Sequence, residues 1–502
     1  MSPSLLLGIV LCYFIILLVV AWYTSRNSDN ESFFIGNRNS NWMLVAFGMI
    51  GTSLSGVTFV SVPGTVGSGG FAYFQVVIGY IFGYLAIAYI LLPLYYRMHL
   101  TSIYHYLSER LGVRSYKTGA LFFIISRMLG ATARLFLVIN VLQIFILKDL
   151  GVPFVLTTFI VLLMILLYTY EGGVKTIVFT DTLQTTFMIL GLIVSIVYVI
   201  HQLHLDMGSA WTQMVSKNYH RVFVTDVNAS NYWLKHVLGG MFIALTMTGM
   251  DQEMMQKNIS VKTLGNSQKN ILTFTTTLVI VNFLFLFMGG LLALLGLNQH
   301  INVPADDLFP TVALHYMPAG ASIIFIIGLI SALFPSADGA LTALTSSFCL
   351  DIRGINRTDW SDAQKKKYRL SVHLTFAVLF FMMVMIFKWI DNKSIIDVIL
   401  KVAGFTYGPL LGMFSFGILT NRKVNDNLVI WICIAAPLLI LGIDMVNNYG
   451  WYQNQLKISD SFIAPVRQLS ESIFGNFKIG YELLIYNGLL TFIGLWTISK
   501  RT

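Results

Sequence analysis

The chain has 502 residues, 56% of them hydrophobic and only 11% charged, less than half the roughly 25% charged share of a soluble globular domain, which excludes a soluble single-core fold and indicates a membrane protein. The formal net charge of +9 does not imply nucleic acid, because the Lys and Arg residues sit in short loops rather than on one continuous basic surface. Cys12, Cys349 and Cys433 lie far apart in apolar segments without metal-ligand spacing and read as small core hydrophobes.

In chain order the hydropathy predicts thirteen spans: roughly 4–24, 41–63, 72–96, 118–147, 152–169, 177–201, 233–254, 269–297, 311–350, 370–389, 395–420, 428–447 and 481–499. We number the first span zero and the others one to twelve. Span zero has no basic segment before it and no small-residue cleavage site after it, so it is expected to persist as a helix rather than to be a signal peptide. The 311–350 segment is too long for one crossing and predicts a surface helix or loop ahead of its membrane part. Basic residues gather in alternate loops: Arg97, Arg110, Arg114 and Lys117; Lys257, Lys262 and Lys269; Arg353, Arg357, Lys365, Lys366, Lys367 and Arg369; and Lys500-Arg501. The opposing loops 64–71 and 298–310 have none. This predicts a multi-pass protein of the cell (inner or plasma) membrane with its N-terminus outside and its C-terminus cytoplasmic. The polar stretches 202–232 and 448–480 are then outside, as lids or surface helices. The second has an amphipathic piece near Ser461 to Phe474, with Trp451 and Tyr452 expected at the membrane interface.

Polar groups inside a span are costly and point to function, and four segments contain them. Span one holds Gly48, Gly51, Thr52, Ser53, Ser55, Gly56 and Thr58. The glycines weaken the helix and the hydroxyls can satisfy an unwound turn. A broken helix offers carbonyl oxygens to a cation and a half-helix N-terminus to an anion; a small-residue packing face is the other reading. The entry to span five turns on Gly172-Gly173, and Asp181 follows inside the helix. Its carboxylate wants a cation, either Lys175 or a bound ion. The end of span six, Asp251-Gln252-Glu253 to Gln256-Lys257, reads as interfacial caps and salt bridges with a structural or gating role. In span eight Pro335 frees the carbonyl of Ser331, and Ser336, Asp338 and Thr342 add oxygens that suit a hard cation. The plainer reading is a proline kink with self-satisfied hydroxyls.

These segments, in this order, resemble the sodium:solute symporter family, which includes the Na+/glucose, proline, pantothenate, sialic acid and iodide carriers. The resemblance rests on Glu31-Ser32-Phe33-Phe34-Ile35-Gly36-Asn37-Arg38, on Gly172-Gly173 through Thr180-Asp181 to Gln184, on Asp251-Gln252 to Gln256, and on Pro335-Ser336-Ala337-Asp338 through Ser346-Ser347 to Asp351. It covers about residues 4–425. It implies an all-α polytopic membrane protein with the LeuT-type 5+5 inverted repeat and broken spans one and six. The single transporter domain would comprise an extra helix at 4–24, repeats at 41–201 and 233–420, and two extra helices at 428–499.

The resemblance also implies a site. Its common Na+ position falls on the carbonyls of Gly51, Leu54 and Ala332 and on the pair at 335 and 336, where Ser336 keeps a hydroxyl and Pro335 has none. Asp181 and Asp338 are expected to compensate. Solute falls to Ser53, Ser55 and Thr58 and to Arg134 on span three, since an Arg of this helix binds the acid group in the family's carboxylate carriers. Arg127, seven residues earlier on the same face, either joins it or snorkels. Gln75 and Tyr407 are candidate pocket or gate residues. The implied function is Na+-coupled import of a small polar organic solute (a sugar, a sugar acid such as sialic acid, or another carboxylate) by alternating access. Na+ is the coupling ion; no enzyme activity, organic cofactor or obligate protein partner is implied beyond the solute, the ion and the lipid bilayer. The alternatives are H+ coupling through Asp181 or Asp338 and a membrane-embedded solute sensor, against which the short Lys500-Arg501-Thr502 end is taken to count. No P-loop supports ATP-driven transport.

Overall fold

The structure is a computed structural model that describes residues 3–24, 39–169, 173–390 and 395–501. The Glu31–Arg38 motif, the Gly172 half of the glycine turn and the Lys175 side chain lie outside the described residues.

All thirteen apolar segments fall on helices, as they must where no water can satisfy backbone groups. They are α1 (Pro3–Thr24), α2 (Trp42–Ser53), α3 (Gly56–Gly69), α4 (Phe74–Ala86), α5 (Val113–Leu142), α6 (Phe154–Thr169), α7 (Gly173–Gln202), α8 (Trp233–Ala244), α9 (Gln252–Ile259), α10 (Leu264–Asn298), α11 (Ala319–Ser347), α12 (Asp362–Ile390), α13 (Ile395–Thr406), α14 (Gly408–Leu419), α15 (Val429–Asn447) and α16 (Leu483–Thr497). Eight helices among the described residues are long and apolar enough to cross a membrane, or ten with each bent pair taken as one span. The apolar helices α6 and α16 are shorter.

Span one breaks between α2 and α3 with a 57° bend. Span six breaks too: α8 runs into a π-helical turn, Leu245–Gly249, and Met250 and Asp251 then leave helical geometry before α9. The carbonyls freed there are taken up from neighbouring elements. The Tyr95 hydroxyl donates to the Gly249 carbonyl at 2.7 Å and the Tyr104 hydroxyl to the Met250 carbonyl at 2.9 Å. Asp251 caps α9, its Oδ1 accepting from the amides of Glu253 and Met254 at 3.0 and 3.2 Å. A third break, the 44° bend between α13 and α14, was not expected. It follows from Pro409, which cannot donate a helical hydrogen bond.

The core brings α2, α7 and α11 together, with α9 beside them and α5 packed on α11 and α13. The α4–α8 pair approaches backbone to backbone through glycines: a Cβ on Gly240 would stand 2.2 Å from the Val76 carbonyl oxygen, and one on Gly79 2.1 Å from that of Val237. Outside this core α1 packs on α7 and α11 and turns Ile15, Ile16, Val19 and Trp22 outward. Ahead of α11 a short helix, Ala305–Thr311, runs into a π-helical turn, Val312–Tyr316, so the 311–350 segment holds a separate turn before its long helix, with Phe309 and Pro310 buried rather than on the surface. A surface helix, Asp460–Phe474, matches the amphipathic piece. Tyr452, expected at the membrane interface, is buried within the protein. Its hydroxyl donates to Asp444 Oδ2 at 2.5 Å, an oxygen that also pairs with Lys401 Nζ at 2.8 Å.

Candidate ion and solute site

The break in span one leaves four carbonyls, those of Gly51, Thr52, Ser53 and Leu54, with no backbone donor among the described residues. Small residues let the partner helices close on this point. A Cβ on Gly48 would stand 3.1 Å from Asp181 Cβ, and one on Gly51 2.4 Å from Thr185 Oγ1 and 3.5 Å from the Pro335 ring. Thus α2, α7 and α11 converge at Gly51. Around this convergence Asp181 Oδ1, Thr185 Oγ1, Ser336 Oγ and Thr342 Oγ1 are buried without a hydrogen-bond partner. Unpartnered buried oxygens cost about 1–3 kcal/mol each. Gln184, next to Thr185, is unpartnered as well, at both Nε2 and Oε1; the oxygens of this group match the chemistry of a hard cation such as Na+. Ala332 is fully buried in the same face of α11. Asp338 is less available: its Oδ2 accepts from the Tyr168 hydroxyl at 2.7 Å and its Oδ1 from the Gly339 amide at 2.5 Å.

Sequence reasoning missed the partner of Asp181. Lys257, counted above with the cytoplasmic basic loops, is 2% exposed and sits in the interior on α9. Its Nζ is 2.7 Å from Asp181 Oδ2 and 2.6 Å from Thr52 Oγ1. It is also 3.6 Å from Oε1 of Glu253, one turn back on the same helix. The whole Asp251-to-Asn258 segment is buried within the protein, because the break in span six turns α9 back into the bundle, and the expected cap and salt bridges form there. Glu253 Oε2 in turn binds Arg127, which also lies 3.7 Å from Asp251 Oδ2, and the Tyr407 hydroxyl donates to that same oxygen at 2.8 Å. Arg127 therefore does not snorkel: two carboxylates hold it at the edge of the cavity described next. Gly339 makes room for the cluster, since a Cβ there would stand 2.1 Å from Glu253 Oε1.

Beside the break lies a cavity of about 740 Å3, mouth included. Ser53, Ser55 and Thr58 line it with Tyr73, Tyr80, Tyr84 and Asn282, against an apolar wall of Met247, Leu278 and Leu400. Arg127 and Arg134 reach it from α5. Arg134 makes no hydrogen bond or ion pair among the described residues and stands half-buried at the cavity wall. A wider vestibule of about 1350 Å3 opens beyond the C-terminal end of α3 and shares Tyr73 and Leu400 with the inner cavity. Those two side chains stand between the two spaces. Two sequence candidates lie outside the inner cavity's lining. Gln75 spends its side chain on the Ala72 and Asn231 carbonyls and the Val224 amide, pinning α4 to the 219–232 segment. Tyr407 lies at the far side of Arg127 and Arg134, on Asp251.

The sequence profile of the sodium:solute symporter family matches residues 33–434. The chain belongs to this family. Its members are transporters, not enzymes, and this one is accordingly a multi-pass membrane transporter. Among its relatives, the sodium/sialic acid symporter NanT of Aliivibrio fischeri (strain ATCC 700601 / ES114) is 23% identical over 455 residues, covering 87% of each chain. The sodium/glucose cotransporter 1 of Oryctolagus cuniculus is 20% identical and covers 85% of this chain and 69% of its own. A solved Na+-coupled sialic acid symporter in its substrate-bound outward-open state superposes with a TM-score of 0.81 over 99% of both chains, at 17% identity. The LeuT-like fold expected from the family is thus the fold of this chain.

Proposed function

We propose that this symporter imports a small acidic polar solute, of the sugar-acid class, driven by Na+. The unpaired guanidinium of Arg134 in a hydroxyl-lined cavity carries this reading. An arginine in a membrane interior without a protein carboxylate is costly, and a planar bidentate acid group compensates it. The serines, Thr58 and the tyrosines add donors and acceptors for hydroxyl groups. Sialic acid symporters among the relatives agree with this chemistry.

Na+ sits between α2, α7 and α11, held by the carbonyls of Gly51, Leu54 and Ala332, by Ser336 and by Asp181, with Asp338 behind Tyr168 as a reserve charge. The loop pattern of Lys and Arg supports an outer vestibule, an outer N-terminus and a cytoplasmic C-terminus. Residues 41–201 and 233–420 act as the two inverted repeats. Outside Na+ steadies the outward-open form, and solute draws Tyr73 and Leu400 over the cavity. Rocking of the repeats then opens the inner side, where Na+ is dilute and leaves.

The test is uptake into proteoliposomes with a panel of sialic acids, hexuronic acids, neutral sugars and amino acids, under a Na+ gradient or a proton gradient alone. Saturable, Na+-dependent uptake of an acidic sugar is expected. Uptake that ignores Na+ and follows the proton gradient would reject Na+ coupling, and a preference for neutral solutes would reject the role of Arg134.

A further inference from the structure

The Lys257 ammonium is held where a cation is wanted. It is fully buried, 2.7 Å from Asp181 Oδ2 and 2.6 Å from Thr52 Oγ1. Thr52 lies in the last turn before the break in span one and Asp181 packs against Gly48 a turn earlier, and the other oxygen of Asp181 has no partner. A second seat is in reach on the same helix: Glu253 Oε1 lies 3.6 Å from the ammonium and has no hydrogen-bond partner. Glu253 cannot follow the lysine, because its Oε2 is anchored to Arg127. Of the other charged groups nearby, Asp338 faces Asp181 from α11 and is engaged by Tyr168, and Asp251 is engaged by Tyr407.

We propose that Lys257 is a tethered cation that competes with Na+ for Asp181, moving to Glu253 when the ion arrives. The inference rests on the Na+ reading above. It makes the lysine a positioning residue of the ion site: it sets how tightly Na+ binds without being a ligand. Removing a small, strongly hydrated ion from water demands nearly all of the site's oxygens, whereas the ammonium is already inside and needs only two or three. A lysine seated on Asp181 about nine-tenths of the time leaves the site competent one-tenth of the time and weakens Na+ about tenfold.

The test is Na+ titration of the purified full chain in detergent, read by calorimetry and by the Na+-dependent rise in melting temperature, with no solute present. Lys257→Met is expected to bind Na+ about tenfold more tightly than the wild type, and Asp181→Asn in that background to lose the gain. Lys257→Arg, whose longer fork spans both carboxylates at once, is expected to weaken Na+; if the methionine variant does not fold, this variant decides. A wild type that responds to Na+ with unchanged or weaker binding in Lys257→Met, or unchanged binding in Lys257→Arg, overturns the competition and leaves Na+ coupling standing. A response that appears only in Lys257→Met upholds the competition and overturns Na+ coupling of the natural chain. No response in either protein overturns both.

Discussion

Arg134 and Arg127 are one heptad apart on α5 and have opposite duties, which substitution separates. Arg134 has no protein partner to lose, so Arg134→Ala is expected to leave the melting temperature near that of the wild type. It should cost an acidic solute about 1.5–3 kcal/mol, the worth of a hydrogen bond to a charged group, and leave weak binding of neutral sugars unchanged; calorimetry with both ligands checks this. Arg127→Ala strands Glu253 and Asp251 in the interior and is expected to destabilise the fold by about 3–5 kcal/mol, seen as a lower melting temperature before any solute is added. Gly339→Ala drives a methyl into the Glu253 carboxylate, so it should lower the melting temperature as well. Most of these residues stood out in the sequence because each is a lone polar group in an apolar stretch, as with Asp181, Ser336 and Arg134. Lys257 did not. A lysine four residues after a glutamate at the end of a span looks the same whether it faces cytoplasm or core, and only the turn of α9 distinguishes the two.

At the scale of elements, the glycines that allow close approach determine which helices can slide and which cannot. Gly240 stands against the Val76 backbone, which has no side chain to swing away, so Gly240→Leu is expected to split α8 from α4 and abolish folded protein, judged by size-exclusion profile and melting. Ile15→Ala on the outward face of α1 is expected to change stability by less than about 1 kcal/mol, since lipid replaces lost contacts there. The spans were legible because apolar length acts locally, and the glycines and hydroxyls of span one offered a break as one of two readings; the break in span six came only with the family resemblance. Pro409 also marked the α13–α14 bend, but a proline one residue into a helix equally signals an ordinary start. The inward course of α9 was not legible: its composition is that of an exposed end, and its burial comes from Tyr95, Tyr104 and Gln252 closing around the break.

For the whole molecule, the single ion site proposed at Gly51 predicts one Na+ per cycle. One Na+ moving with one monoanionic solute carries no net charge, so a potential worth about 2.3 kcal/mol per charge per 100 mV should not alter the final accumulation ratio in proteoliposomes. Imposing 100 mV with valinomycin and potassium checks this, and a rise in the ratio on making the interior negative would require a second ion. The lysine on α9 adds a consequence for the unloaded half of the cycle. A carrier whose acidic centre stood bare would be trapped after discharge until some ion from the cytoplasm refilled it, and that ion would ride back out. With an ammonium fixed to the protein ready to neutralise Asp181, the empty carrier can reset alone, and neither Na+ nor membrane voltage is spent on the way back.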